Sequence, residues 1–231
     1  IVGGGGASGG AILKTTNGGA NWETSITTYG LKGVFFSDAY KGWAVGSVGT
    51  VLSTTNGGES WSTQTIDNIL SLNSVFFIDS NVGWAVGYST QMTGTIIKTL
   101  NGGLDWSEPV SGIIAPLNSV YFSDPNTGWA VGWAGTILQT VDGVNWTTLT
   151  SGISESLNDV CFIDSNVGWA VGMHGSIIKT SDGGITWFNQ ISGTDNELKS
   201  VHFIDSNVGW IVGGNTILKT TDSGISWVKH I

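Results

Sequence analysis

Residues 95–106 read Thr95-Ile96-Ile97-Lys98-Thr99-Leu100-Asn101-Gly102-Gly103-Leu104-Asp105-Trp106. A short β-branched run ends in Thr, and a turn of the form Thr-x-Asn/Asp-x-Gly-x-x-Trp follows it. The same turn recurs at Thr15/Asn17/Gly19/Trp22, Thr54/Asn56/Gly58/Trp61, Thr180/Asp182/Gly184/Trp187 and Thr220/Asp222/Gly224/Trp227. A copy one residue shorter is Thr140/Asp142/Gly143/Trp146. From Trp22 through Trp61, Trp106, Trp146 and Trp187 to Trp227, the tryptophans step by 39, 45, 40, 41 and 40 residues. A period near forty carried by strand-like segments marks a repeat array.

Three further series keep the same register. Gly42-Trp43-Ala44-Val45-Gly46 returns around Trp84, Trp129, Trp169 and Trp210, and Leu-x-x-Val-x-Phe-like runs begin at Leu31, Leu72, Leu117, Leu157 and Leu198. The third is Thr/Ser-Ile/Val-Ile/Leu-x-Thr. Each is bounded by Gly, Asn, Asp or Ser, and no window sustains a helical period. One unit therefore comprises strand a (72–78), strand b (83–87), strand c (95–99) and a strand d opened by Trp106. Four antiparallel strands repeated radially describe β-propeller blades, which leave only short edges. In the turn, Asn or Asp accepts from backbone N–H groups two residues on, and glycine supplies positive φ. The Trp is expected to bury roughly 150–250 Å² between blades.

Strands b, c and d occur six times and strand a five times, the first unit opening on Ile1-Val2-Gly3, which matches the end of a "WAVG" strand. The expectation is one all-β propeller domain over residues 1–231, with six blades of which the first is incomplete. A larger ring and a strand supplied by a neighbouring chain are the alternatives. The incomplete first unit and the lack of an initiator Met suggest a processed chain or an excerpt of a longer one.

The turn resembles the Asp-box of bacterial neuraminidase repeats. The wider unit, with "LNSVFFIDSNVGWAVG" and "TIIKTLNGG", is similar to the propeller repeats of photosystem II stability/assembly factors and their bacterial relatives. The resemblance covers nearly the whole chain and implies the fold. It rests on residues that build blades, so function has to be argued from a site.

The formal charge is −9 and all eight basic residues are lysines. An acidic surface repels polyphosphate, which excludes nucleic acid as a partner. The lack of arginine also excludes a sialidase, whose carboxylate grip needs planar bidentate donors. The assembly factors are associated with an arginine-rich patch that this chain does not have. No apolar stretch is long enough to span a membrane. Cys161 is the single cysteine, which rules out an internal disulfide. The sequon Asn145-Trp146-Thr147 falls inside a turn copy and is read as coincidence.

Several constellations were weighed as chemistry. The acids Asp67, Glu155, Asp195 and Glu197 lie in d–a loops, and a glycosidase would need two of them at roughly 5–9.5 Å; solvated loop acids are the simpler reading. Asp38, Asp79, Asp124, Asp164 and Asp205 follow strand a and read as turn caps. Cys161 and His202 share a strand a position with Phe35, Phe76 and Tyr121, so packing is preferred to a nucleophilic dyad. His174, His202 and His230 make no metal-ligand spacing, and the glycines at 3–6 precede no P-loop lysine. No cofactor, metal or catalytic residue is expected.

The a–b and Asp-box turns should share one face and vary little, whereas the b–c and d–a loops of the other face differ among copies. Loops on a rigid scaffold commonly carry function. An insertion of four residues brings Tyr88, Gln91 and Met92 into one b–c loop. Trp133, the one tryptophan of twelve outside the repeat register, lies in the next, and Met173 and His174 lie in the one after. Tyr88, Trp133 and His174 are the candidate ligand-binding residues, since aromatic rings with polar edges suit sugars and peptides; capping of neighbouring loops is the competing reading. The structural Asp-box set is Asn17, Trp22, Asn56, Trp61, Asn101, Trp106, Asp142, Trp146, Asp182, Trp187, Asp222 and Trp227.

The expected function is a non-catalytic, extracytoplasmic or cell-surface scaffold that binds a protein or carbohydrate partner through one loop face. The alternatives are a photosystem II-type assembly factor, a glycoside hydrolase, and a subunit that self-associates through the open first blade.

Overall fold

The computed structural model of the chain describes residues 1–4, 9–107 and 112–230. They fall into two compact units, Ile1–Pro116 and Leu117–Ile231. Of the glycines at 3–6, Gly5 and Gly6 lie outside the described residues, as does Ile231 at the end of the last expected strand.

The first unit holds three sheets. Sheet 1 is β1 (Val2–Gly3), β2 (Gly10–Lys14) and β3 (Glu23–Thr27). Sheet 2 is β4 (Leu31–Phe36), β5 (Gly42–Gly46), β6 (Thr50–Thr54) and β7 (Ser62–Thr65). Sheet 3 is β8 (Ile69–Phe77), β9 (Gly83–Ser89) and β10 (Gly94–Thr99). Beyond β10 only a bridge from Lys98 to Ser107 is described, because the expected outer strand runs into residues 108–111.

The second unit holds three sheets of four strands. Sheet 4 is β11 (Leu117–Phe122), β12 (Gly128–Gly132), β13 (Ile137–Thr140) and β14 (Thr147–Leu149). Sheet 5 is β15 (Leu157–Phe162), β16 (Gly168–Gly172), β17 (Ile177–Thr180) and β18 (Phe188–Gln190). Sheet 6 is β19 (Ser200–Phe203), β20 (Gly209–Gly213), β21 (Thr216–Thr220) and β22 (Val228–His230). Every strand pairs antiparallel with its sequence neighbour. Six blades are thus present, and the first lacks strand a.

The Gly-Trp-Ala-Val-Gly strands β5, β12 and β16 are buried at all five positions. Continuous rather than alternating hydrophobicity follows from packing on both faces. The strand b tryptophans Trp43, Trp129 and Trp169 stack on Phe77, Phe162 and Phe203 of the following sheet, with centroids 3.4, 3.6 and 3.6 Å apart. These contacts join sheets within each unit, and offset aromatic stacking adds about 0.5–1.5 kcal/mol beyond area burial.

The Asp-box tryptophans share the space between blades with the strand b series. Trp61, Trp106, Trp187 and Trp227 stand edge-on against the strand a phenylalanine of their own sheet, at 5.9–6.0 Å, and each packs on an apolar cluster that spans two neighbouring sheets. Trp22 is exposed.

The turn itself also works over a longer span than its sequence suggests. Asn17, Asn56, Asn101, Asp182 and Asp222 accept through Oδ1 from the backbone N–H four residues on, at 2.9–3.0 Å. The preceding Thr hydroxyl accepts from the glycine N–H at 2.8–3.0 Å in the same copies. In the short copy Asp142 accepts from Val144 and Asn145 instead. Turn capping is what Asp38, Asp79, Asp124, Asp164 and Asp205 do: each accepts from the N–H groups two and three residues on at 2.6–2.9 Å. The Asp-box turn donates back to the a–b turn of its own sheet, as in Gly57 to Tyr40 and Gly183 to Asn166. That bond places both turn types on one face.

Candidate functional site

The opposite end of each blade carries the b–c turns and d–a loops. In sheets 4 and 5 the b–c connection is a tight hairpin turn with two left-handed central residues, Ala134-Gly135 and His174-Gly175. The first of each, Ala134 and His174, sits at φ 53°. Val48 holds the same position in sheet 2 at φ 58°, and Gly214 in sheet 6 at φ 49°. A β-branched residue there is strained, and glycine relieves the strain.

Each d–a loop is seated on these turns. Ser151 donates its hydroxyl to the Ile153 carbonyl at 3.1 Å, and Ser192 does the same to Thr194 at 3.0 Å. Met173 N–H donates to Ser156 at 3.0 Å, and Gly175 N–H to Asn196 at 2.9 Å. Gly135 and Gly175 lie directly under the Ile153 and Thr194 carbonyls, with no room for a Cβ. The loop face of the second unit is therefore held rigidly by its own backbone.

Two grooves open on that face. One, of about 750 Å³, is lined by Ala134, Thr148, Leu149, Ser151 and Glu155. The other, of about 560 Å³, is lined by His174, Gln190, Ile191, Thr194 and Asp195. They share Ile153, Glu155 and Asn189 as a common wall. Trp133, 46% exposed, precedes Ala134 at the first groove, and His174 is exposed at the second. Tyr88 belongs to the first unit. It is not a loop residue as expected: the inserted residues lengthen the hairpin, so Tyr88 pairs with Gly94 inside β9 and the turn moves out to residues 90–93. The Lys32 ammonium stands 5.5 Å above its ring.

Of the four loop acids, Glu155 and Asp195 line one groove. The Glu155 carboxylate accepts from the Ser154 N–H at 3.1 Å, and Glu197 is taken up by Lys199 at 3.1 Å and by the Asn158 amide. Asp67 lies in the first unit. Cys161 is buried in the core of sheets 5 and 6, where burial pushes its thiol up, and His202 is exposed. No group of three His, Cys, Asp or Glu able to hold a metal occurs among the described residues. No helix among them is long and apolar enough to cross a membrane.

One polar feature was not legible as a site. Asp159, third residue of the Leu-x-x-Val-x-Phe series, is half-buried between the inner strands of sheets 4, 5 and 6. Its Oδ1 accepts from the Ser119 hydroxyl at 2.7 Å and Val160 N–H at 3.0 Å. Its Oδ2 accepts from the Ser200 hydroxyl and Val201 N–H, both at 2.9 Å. Burial pushes its carboxyl up against the pull of these four donors. Its repeat equivalents are Gly33, Ser74, Ser119 and Ser200, and that change from small to acidic residue was the available signal.

Comparison with known proteins sets this geometry in a family. The family model described as "Photosynthesis system II assembly factor YCF48" matches residues 27–112 and 142–230. No curated protein matches in sequence. Among solved structures, "YCF48 bound to D1 peptide" is 18% identical with a TM-score of 0.60, covering 87% of this chain and 81% of its own. "YCF48 from Cyanidioschyzon merolae" is 20% identical with a TM-score of 0.70, covering 92% and 76%. The GH74 xyloglucanase from Xanthomonas campestris is 11% identical with a TM-score of 0.75, covering 94% of this chain and 41% of its own. At these identities the structures show the β-propeller fold alone.

Proposed function

The chain belongs to the photosynthesis system II assembly factor YCF48 family, and from that premise we propose that it is a non-catalytic scaffold that holds an extended segment of a partner protein on the loop face of its second unit. The observation that carries this reading is the pair of contiguous grooves walled by Ile153, Glu155 and Asn189, with Trp133 and His174 at the flanking turns. A preformed groove on rigid turns gives affinity to a flexible peptide because little ordering of the protein is needed. The solved structure of YCF48 bound to D1 peptide supports a peptide as the class of partner.

The charge points to a different peptide preference from that of an arginine-bearing surface. Glu155 and Asp195 line the grooves of a chain of net charge −9, so a lysine or arginine beside an apolar residue is the favoured ligand pattern. Catalysis is not part of the reading: of the two acids that line the groove, Glu155 is bonded to the Ser154 N–H of its own loop. An extracytoplasmic setting goes with this proposal and rests on the likeness to secreted repeat proteins; cell fractionation tests it.

The deciding experiment is calorimetric titration with a D1 peptide and with a panel of lysine-bearing peptides, on the chain and on its Trp133→Ala and His174→Ala variants. Micromolar binding weakened about tenfold by Trp133→Ala supports the proposal. Binding indifferent to both variants, or cleavage of a glycan with no peptide binding, overturns it.

A further inference from the structure

The last strand of sheet 5 runs beside both grooves of the second unit. β18 closes that sheet with no strand beyond it, and its middle residue, Asn189, lines both grooves. Side chains alternate along a strand, so β18 turns its two faces toward different sheets. Gln190 faces sheet 6, where its side-chain amide donates to the Ser223 carbonyl and accepts from the Trp227 indole, both at 3.4 Å. Asn189 therefore faces sheet 4, and the first groove takes in Thr148 and Leu149 of β14 beside it. The second groove takes in Gln190 and Ile191.

The outer edge of β18 is open to a further strand. In an antiparallel ladder, pairs that exchange both main-chain bonds alternate with pairs that exchange none. The bonded kind is seen in sheet 3, where Lys98 and Ser107 donate to each other at 3.0 and 2.9 Å. Lys179 and Phe188 are the equivalent pair of sheet 5. Asn189, the next residue, thus points its N–H and carbonyl away from β17. Charge is a common way to blunt such an edge. β22 carries Lys229 and His230 and β3 carries Glu23, whereas β18 has no charged residue. It carries Phe188, 64% exposed, where β14 has Thr147 and β7 has Ser62, and it runs on to Ile191, 87% exposed.

We propose that the partner segment is held by strand addition: it pairs along β18, exchanges main-chain hydrogen bonds with Asn189, and sends alternate side chains to the two faces of sheet 5, one set toward each groove. This mode of binding rests on the peptide reading above. Main-chain pairing supplies affinity whatever the sequence, and the pockets on either side set the preference. Glu155 lines both grooves and Asp195 the second, and no lysine is among the described residues that line them. The segment that fits carries lysine on its Asn189 face and an uncharged β-branched residue on the face that meets Phe188.

The test is fluorescence anisotropy of a labelled, end-capped peptide Lys-Val-Thr-Val-Lys-Val-Thr, titrated with the full chain. Two N-methylated forms are run beside it, one methylated on the valines and one on the lysines and threonines. A strand offers alternate N–H groups to opposite edges, so one form loses its bonds to β18 and the other keeps them. One is expected to bind at least tenfold more weakly than the parent, about 1.4 kcal/mol, and the other to match it. Asn189→Pro removes the outward N–H, at a place where an edge strand tolerates proline, and Phe188→Lys repels the peptide. Each should weaken binding at least tenfold with circular dichroism unchanged. Equal binding of the two methylated forms, or wild-type affinity in both folded variants, overturns strand addition; parent binding that still falls with Trp133→Ala would leave the groove reading standing. Failure of both the parent and a D1 peptide to bind at millimolar concentration overturns the two together.

Discussion

The Trp129 indole lies over the Phe162 ring at 3.6 Å between centroids and 11° from parallel, while its N–H donates to the Gly183 carbonyl at 2.8 Å. One side chain thus joins strand b of one blade to strand a and the Asp-box turn of the next. Trp129→Ala opens a cavity and leaves that carbonyl with the Gln139 amide alone, so a loss of about 3–5 kcal/mol is expected in urea unfolding. Trp129→Phe keeps part of the stack but not the donor and should lose less. Equal losses would show that the part of the stack a phenyl ring retains contributes nothing.

Asp159 ties three inner strands through the Ser119 hydroxyl and the Ser200–Val201 pair, and it accepts from a fixed backbone donor on each carboxylate oxygen. An amide at this position must turn its NH₂ toward one of them. Asp159→Asn should therefore destabilise by about 1–3 kcal/mol, read by chemical denaturation. The raised carboxyl gives a pH signature as well. The folded state holds the proton more tightly than the unfolded chain, so this group's contribution is full below the ordinary carboxyl value near 3.8 and is lost as pH rises through the raised value. The asparagine variant should lack that decline.

Acid sensitivity of the opposite sign resides in the Asp-box turns. The Asp182 carboxyl is held at about 2 by the Thr186 hydroxyl, then by the Thr186 N–H, with Thr180 adding to them. Asp142 and Asp222 are lowered in the same manner, by Asn145 and Ser226 first. A depressed carboxyl stabilises the fold above the unfolded value and stops doing so as pH falls through the folded one. The melting temperature should drop between pH 4 and pH 2. Three copies of the turn already use Asn, so the triple variant Asp142→Asn, Asp182→Asn, Asp222→Asn should fold and show a shallower drop. An unchanged profile would place the acid sensitivity elsewhere.

Val48 occupies a left-handed position at φ 58°, where Gly214 stands in sheet 6 at φ 49°. Replacing a β-branched residue there by one that tolerates the conformation should stabilise Val48→Asn by about 1 kcal/mol. A calorimetric scan would show the rise in melting temperature; a fall would mean that the Val48 side chain packs in a way that outweighs the backbone.

The sequence by itself determined the blades, because each blade is a local object. A forty-residue unit carries its own turns, and the Asp-box and a–b caps are bonds over two to four residues that composition and spacing reveal. Sequence also placed Trp133 and His174 in b–c turns. It misjudged Tyr88, since an insertion near a hairpin end can extend strands as readily as lengthen a loop. It gave the inter-blade role to the Asp-box tryptophans alone, whereas the strand b tryptophans share it, and both series keep the same period. Only the tertiary structure decided which indole stacks on which phenylalanine and that four donors converge on Asp159. These features depend on which sheets become neighbours, and contacts between residues forty positions apart leave no mark in local spacing.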